Sequence, residues 1–147
     1  MAESTTTTST GGRTFKLEVV SPEGVLIDLE AKSIAVPGAD GRFGVMYNHA
    51  PLVTPLVPEV LEIVTADGTR HRLSIGEGFI QVVKNHVRVL VDSAERPEEI
   101  DVDRASAAEK RARDRMGGRG GDEKIDSARA EVALRRAIAR LKAAKSI

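Results

Sequence analysis

Near residue 95 the sequence changes its grammar, and that change limits the fold more than any other feature. Before it, β-branched and aromatic residues alternate with polar ones, and Gly, Pro, Asn and Asp recur at short intervals; after it, Ala, Arg and Glu dominate up to residue 147. Period-two alternation puts successive side chains on opposite faces of a strand, whereas Ala, Arg and Glu lose little freedom in a helix. The expected fold is therefore β + α, with an N-terminal antiparallel β-sandwich over residues 14–94 and a C-terminal antiparallel two-helix hairpin over residues 95–147. The Thr/Ser-rich stretch at residues 1–13 has no such periodicity and is expected to be a disordered tail. With 147 residues and 41% hydrophobic content, the chain can bury one ordinary core and a small appendage.

Phe15 to Val19 alternates, Ser21-Pro22-Glu23-Gly24 supplies a turn, and Val25 to Leu29 completes a first hairpin. Lys32 to Val36 reads as a strand, Gly38 to Gly41 as a turn, and Phe43 to Met46 as another extended segment. Leu61 to Thr65 and Thr69 to Ile75 flank Ala66-Asp67-Gly68, where glycine accepts the positive φ of a tight hairpin. Phe79 to Val83 and Val87 to Val91 flank Lys84-Asn85-His86 and form a further hairpin. Many short strands with no intervening helix close most economically as a sandwich or flattened barrel.

Pro97 with Glu98 and Glu99 is a helix-start signal: proline's missing N–H costs nothing there, and acids favour the positive end of the helix dipole. Asp101 is an equally good N-cap, so two starts compete. The first helix is expected to stop at Met116, before Gly117-Gly118-Arg119-Gly120-Gly121, and Asp122 to cap the second. Ile125, Ala128, Val132 and Ala139, with Leu134, Ile138 and Leu141, recur at helical spacing as an apolar stripe. The first helix offers its partner chiefly Val102, Ala105, Ala108 and Ala112. At about 25 cal/mol per Å² of buried apolar surface, so many alanines predict a marginal interface and a hairpin able to open.

Composition excludes several functions. The 22 basic and 22 acidic residues leave no global excess for nucleic acid or an anionic membrane, although residues 1–94 hold 8 basic and 11 acidic groups and residues 95–147 hold 14 and 11. A nucleic-acid-binding β-domain with a basic helical tail is the competing reading; a tail of net +3, one Tyr and no Trp for base stacking weigh against it. The absence of Cys rules out disulfides, thiolate metal sites and a Cys nucleophile. His49, His71 and His86 are scattered without metal-ligand spacing, so neither a catalytic residue nor a metal is expected. The glycine-rich loop lacks the Lys-Ser/Thr of a P-loop. Met1 to Gly12 has neither the basic nor the apolar region of a signal peptide. The most apolar run, Ala50 to Val64, is broken by Pro51, Pro55, Pro58, Glu59 and Glu62 and falls short of a membrane helix.

The segment Gly41-Arg42-Phe43-Gly44-Val45-Met46-Tyr47-Asn48-His49-Ala50-Pro51-Leu52 resembles the G-x-x-G…H-x-P-L signature of the epsilon subunits of F-type ATP synthases. Gly76-Glu77-Gly78-Phe79-Ile80 is similar to that family's Gly-Gly-Phe turn and strand, and Ala94-Glu95-Arg96 with Ile100-Asp101 to its domain junction. Order and spacing agree from Phe15 to Leu141. The resemblance implies a non-catalytic rotor subunit that needs no cofactor, at the cytoplasmic face of the bacterial plasma membrane. Its sandwich is implied to bind the gamma subunit and rest on the c-ring, touching the membrane only through that ring, with Arg42, Phe43, Gly44 and His49 as contact residues. Its hairpin is implied to fold on the sandwich or to extend into the catalytic head. There basic positions such as Arg111, Arg113, Arg115 and Arg135 would meet the alpha and beta subunits and restrain ATP hydrolysis. Two features depart from the family pattern: Arg42 stands where relatives often carry an acid, and Tyr47-Asn48 replaces a common Pro-Gly.

Some relatives bind ATP as a regulatory ligand through an I/L-D-x-x-R-A motif, which Ile100-Asp101-Val102-Asp103-Arg104-Ala105 matches, and the resemblance extends to Glu95, Arg136 and Arg140. Arg104 lies 12 residues before Met116 and Arg136 lies 14 after Asp122. At about 1.5 Å per residue they stand roughly 18 and 21 Å from the loop, side by side in an antiparallel hairpin. Three guanidinium groups suit a triphosphate, and a carboxylate suits an adenine amino group or ribose hydroxyl. Charge spacing alone is equally consistent with a solvated surface in which Asp101, Arg104, Glu131 and Arg135 pair along the helices. Ile125-Asp126-Ser127-Ala128-Arg129-Ala130 matches the same short motif, which an Ala/Arg-rich helix generates readily.

Overall fold

The computed structural model describes residues 12–119 and 123–145. The tail before Gly12, loop residues Gly120 and Gly121, the expected cap Asp122 and the side chain of Ile125 lie outside the described part. Nine strands come first: β1 (Phe15–Ser21), β2 (Gly24–Gly38), β3 (Gly41–Met46), β4 (Leu52–Leu56), β5 (Glu59–Thr65), β6 (Arg70–Ile75), β7 (Gly78–Val83), β8 (His86–Val91) and β9 (Ala94–Glu95). A 3-10 turn at Pro97–Glu99 leads to α1 (Val102–Asp114), a π-helical turn at Arg115–Arg119 follows, and α2 (Glu123–Lys145) is the last element among the described residues.

The strand β2 organises the sandwich. At 15 residues it is the longest strand, and it pairs with β1 through its first half and with β3 and β5 through its second. The sequence reading divides it into two strands because its apolar phase changes: Ile27 and Ala31 point inward at odd positions, then Ile34 and Val36 at even ones. The register with β5 slips between Ala31 and Ser33. One extra residue in a strand flips every later side chain to the other face, so the strand continues while its pattern breaks. The bulge lets β2 serve both layers.

One layer runs β2-β1-β8-β7-β4 and the other β3-β2-β5-β6-β9. The first closes on itself, because β4 also meets β2 at Gly38 and Leu56. Every pairing is antiparallel except β1 with β8, which is parallel and brings the start of the sandwich against its end. Between the layers lies a core of large aliphatic side chains with Phe15, including Leu17, Leu61, Ile63, Leu73, Ile75 and Ile80, each at most 1% exposed.

Strand β4 is absent from the sequence reading, which sees only prolines there. Pro55 nevertheless sits in the strand, paired with Phe79, and its carbonyl accepts from Ala39 N at 2.9 Å. The helix-start signals also resolve physically. Pro97 opens only the short 3-10 turn, and Asp101 caps α1, its Oδ1 accepting from Arg104 N at 3.1 Å. The first helix stops at Asp114, two residues before the expected Met116, and its continuation widens into the π-helical turn.

In place of a single apolar stripe, α2 is buried on two opposite sides. Ala130 and Ala137 fall on one side, Ala139 and Ala143 on the other, all at most 1% exposed, while Ala128 is exposed. At 3.6 residues per turn the two rows lie roughly half a turn apart. Ala139 and Ala143 share the side from which Arg136 and Arg140 reach the sandwich, over β5 and β6, where Val60 and Ser74 are buried outside the main core. The other row faces α1, whose buried residues are Ala105 and Ala112. Small side chains let both neighbours approach closely.

Candidate functional site

Three cations on α2 are tied to acids of the sandwich. Arg136 Nη2 donates to Asp92 Oδ2 at 2.8 Å and lies 3.7 Å from Glu77 Oε1. Arg140 Nε donates to Glu95 Oε1 at 2.7 Å, and Lys142 Nζ to Glu59 Oε2 at 3.0 Å. These paired side chains keep 29–53% of their surface exposed, so each contact is screened and contributes on the order of 0.2–1 kcal/mol. They hold α2 at its flanks while the alanines fill its buried sides.

Of the five nucleotide-site candidates, Glu95 and Arg140 are brought into direct contact. Asp101 and Arg104 meet through the N-cap, by the backbone of Arg104, whose side chain lies on the exposed first turn of α1. Arg136 stands one turn from Arg140 and is engaged by Asp92 and Glu77, neither of which the sequence reading singles out. Both acids lie in turns, after β6 and after β8, and only the folded sheet brings Asp92 to an arginine 44 residues away. The available signal is local: Glu77 stands between two glycines, and Asp92 follows the last residue of an alternating strand. The solvated-surface reading also finds support, since Glu131 and Arg135 form an exposed i,i+4 pair at 3.6 Å.

The four contact candidates do not form one surface. Strand alternation turns Arg42 and Gly44 outward and Phe43 inward, where its ring covers Gly38; a Cβ on Gly38 would lie 2.8 Å from that ring. Arg42 Nη2 donates to Val60 O at 2.7 Å, tying the β2–β3 hairpin to β5, and lies 3.9 Å from Glu62. His49 follows β3, and its Nδ1 meets Ala50 O at 2.8 Å. Its loop is fixed by Asn85, which accepts from Asn48 N at 2.7 Å and donates to Thr14 O at 2.8 Å. Lys84 and Asn85 both have positive φ, the geometry of a tight two-residue hairpin.

A broader surface lies on the outer face of the closed layer. Cross-strand registers align Pro55, Phe79, Leu90, Val20 and Val25 in one row over five strands. Phe79 is 45% and Val25 59% exposed, and Val53 stands beside the row at 66%. The adjacent row is polar: Glu18 pairs with His86 at 2.9 Å and Arg88 at 3.3 Å. The hydrogen bond from His86, aided by the nearby positive groups and opposed by partial burial, holds the Glu18 carboxyl below the usual range. An apolar row beside a charged one is the composition of an interaction surface.

Among the described residues, no cluster of His, Asp and Glu can hold a metal, and no helix is long and apolar enough to cross a membrane. The chemistry on offer is recognition: an apolar docking row, and a set of arginines beside carboxylates at the junction of sandwich and helices.

Comparison with known proteins gives this arrangement a family. The family model described as "ATP synthase, Delta/Epsilon chain, beta-sandwich domain" matches residues 14–97, and "ATP synthase, Delta/Epsilon chain, long alpha-helix domain" matches residues 98–145. An ATP synthase epsilon chain of Syntrophomonas wolfei is 47% identical over 132 residues, covering 90% of this chain and 95% of the relative. One of Desulfitobacterium hafniense is 43% identical over 133 residues, covering 90% and 98%. Among solved structures, a chain of the Euglena gracilis mitochondrial ATP synthase shares the fold with a TM-score of 0.77 at 23% identity, covering 90% of this chain and 81% of that one. With both family models matched in order along nearly its whole described length, this chain belongs to the family of ATP synthase epsilon chains, non-catalytic accessory subunits of the synthase.

Proposed function

We infer that this protein links the gamma subunit to the c-ring and restrains ATP hydrolysis through a C-terminal hairpin that leaves the sandwich, with ATP as the ligand that keeps the hairpin docked. The observation that carries this reading is how α2 is attached: alanines on both buried sides, and half-exposed ion pairs at its edges. Such a contact is specific in register but is filled on the helix side by methyl groups, which contribute little each, so it can be exchanged for another partner at low cost. Two of the groups that hold it, Arg136 and Arg140, are also nucleotide-site candidates, which supports a reading in which docking and ligand recognition share side chains.

The exposed apolar row through Phe79 and Val25 supports docking to the gamma subunit. Arg42, Phe43, Gly44 and His49 are proposed to lie at the c-ring and gamma contacts, as the family resemblance implies, with the complex at the cytoplasmic face of the membrane. Extension of the hairpin would carry Arg111, Arg113, Arg115 and Arg135 to acidic surfaces of the alpha and beta subunits. Bound ATP, engaging Glu95, Asp101, Arg104, Arg136 and Arg140, would stabilise the docked state in proportion to its preference for it, so that restraint sets in when ATP falls.

The test is ATP hydrolysis by the reconstituted synthase across a range of ATP concentrations. With the full chain, hydrolysis should be restrained at low ATP and released toward millimolar ATP; a chain ending at Pro97 should show no restraint. Arg104→Ala and Arg136→Ala should shift release to higher ATP. Equal hydrolysis with and without the hairpin would sink the restraint, and an unshifted ATP dependence in both variants would sink the nucleotide site.

A further inference from the structure

The turns after β6 and β8 are fastened into one unit: Gly76 N donates to Ser93 O, and Asp92 N to Glu77 O, both at 2.9 Å. In this unit a side chain at residue 76 would run into the side chains of Asp92 and Ser93 and displace them. A Cβ there would lie 2.0 Å from Asp92 Oδ1 and 2.7 Å from Ser93 Oγ. At residue 78 a Cβ would lie 1.9 Å from Leu90 O, so the backbone beyond Glu77 is held just as closely. Bare glycine backbone therefore lets the Asp92 carboxylate sit with one oxygen against Gly76 and the other on Arg136, while Glu77 approaches the same guanidinium nitrogen at 3.7 Å. Among the described residues the Nε of Arg136, shielded from solvent, has no hydrogen-bond partner, so these acids do not use all of the cation's capacity.

We propose that Asp92 and Glu77 form a preorganised acidic seat for Arg136, which holds α2 on the sandwich in the absence of ligand and competes with the phosphates of a nucleotide for that arginine. The competing half rests on the nucleotide reading given above. A triphosphate approaching Arg136 meets two carboxylates already there. It must displace Asp92 or accept like-charge repulsion from it, and either costs affinity. The strength of nucleotide binding is then set in part by residues that donate nothing to the nucleotide. The seat also biases Arg136 between two anions of different charge, so a polyphosphate gains on it more than a single phosphate does.

The experiment uses the full chain with Asp92→Asn and Glu77→Gln, which keep shape and remove charge. Hydrogen exchange of the α2 amides without ligand reads the seat, and calorimetry with ATP reads the competition. For a half-exposed ion pair, Asp92→Asn should speed α2 exchange by about two- to fivefold and tighten ATP binding by a similar factor. Glu77→Gln should act in the same directions but less. The exchange measurement also reports the docked population of each variant, so the apparent affinity is corrected for it before the competition is read. Unchanged exchange in Asp92→Asn would remove the seat. Weaker ATP binding in that variant would make Asp92 a strut and overturn the competition. Failure of the nucleotide reading would show differently: no heat with millimolar ATP in wild type or variant, with α2 exchange still faster.

Discussion

The sandwich and the hairpin solve the same packing problem with different materials. Between the sheets lie Phe15, Leu17, Leu61, Ile63, Leu73 and Ile80, which exclude water over large areas. Between α1, α2 and the sandwich the buried residues are mostly alanines, joined by Val60 and Ser74 of the sheet, with larger helix side chains such as Val132, Leu134 and Leu141 only half-buried beside them. Burial of a Leu or Ile side chain contributes roughly 1.5–3 kcal/mol, and an alanine methyl a fraction of that. The charges follow the same division. The ion pairs joining α2 to the sandwich sit at the rim of the contact, where water weakens them. One region is held by large apolar side chains, the other chiefly by methyl groups and screened charges.

The largest effect should come from the sandwich. Leu61→Ala leaves a cavity in the core and should cost about 2–5 kcal/mol in denaturant unfolding of the whole chain. A loss confined to the hairpin would break the contrast between the two regions.

A smaller and more selective effect is expected at Ala137, which is fully buried on the side of α2 facing α1. Ala137→Leu overfills that contact, at a cost of about 1–3 kcal/mol, and should speed hydrogen exchange in both helices while strands β1 to β8 keep their protection. Equal loss in the strands would mean that the two regions unfold as one.

The smallest effect sharpens the comparison from inside the sandwich, at a turn that owes its shape to charge. The Asp67 carboxyl accepts from the Thr65 hydroxyl and from Thr69 N at 3.1 Å. These bonds, the Thr65 hydroxyl first, lower its pKa from 3.8 to about 2. Because the folded state holds this proton less tightly than the unfolded chain, Asp67 stabilises the fold above about pH 4 and loses that effect as pH falls through about 2. The melting temperature of Asp67→Asn should therefore lie below wild type at neutral pH and converge with it in that window. A gap independent of pH would remove the charge from the account of this turn.

Much of the sandwich was legible because period-two alternation records directly which face of a strand is buried, as in Phe15 to Val19 and Val87 to Val91. Where the pattern failed, a second force intervened. The bulge near Ala31 inverted the phase and made one strand look like two. Pro55 hid β4, although a strand with few demands on its N–H groups tolerates proline. On α2, burial on two opposite sides erased the single stripe that marks a surface helix. The site divided in the same way. Glu95 and Arg140 were reachable through the motif that carries the resemblance, and the structure puts them in contact. Asp92 and Glu77 were not, because their meeting with Arg136 depends on two turns becoming neighbours in the sheet, which local spacing does not encode.

The long strand β2 has a mechanical consequence. In a sandwich of two separate sheets, a shearing load slides one sheet over the other, and only interdigitated side chains resist it. Here β2 passes through both layers, bonded to β1 at one end and to β3 and β5 at the other, and its meeting with β4 closes the ring. Sliding would have to rupture rows of backbone hydrogen bonds together. The sandwich is thus a torsionally stiff body, its two layers joined through the backbone of one strand.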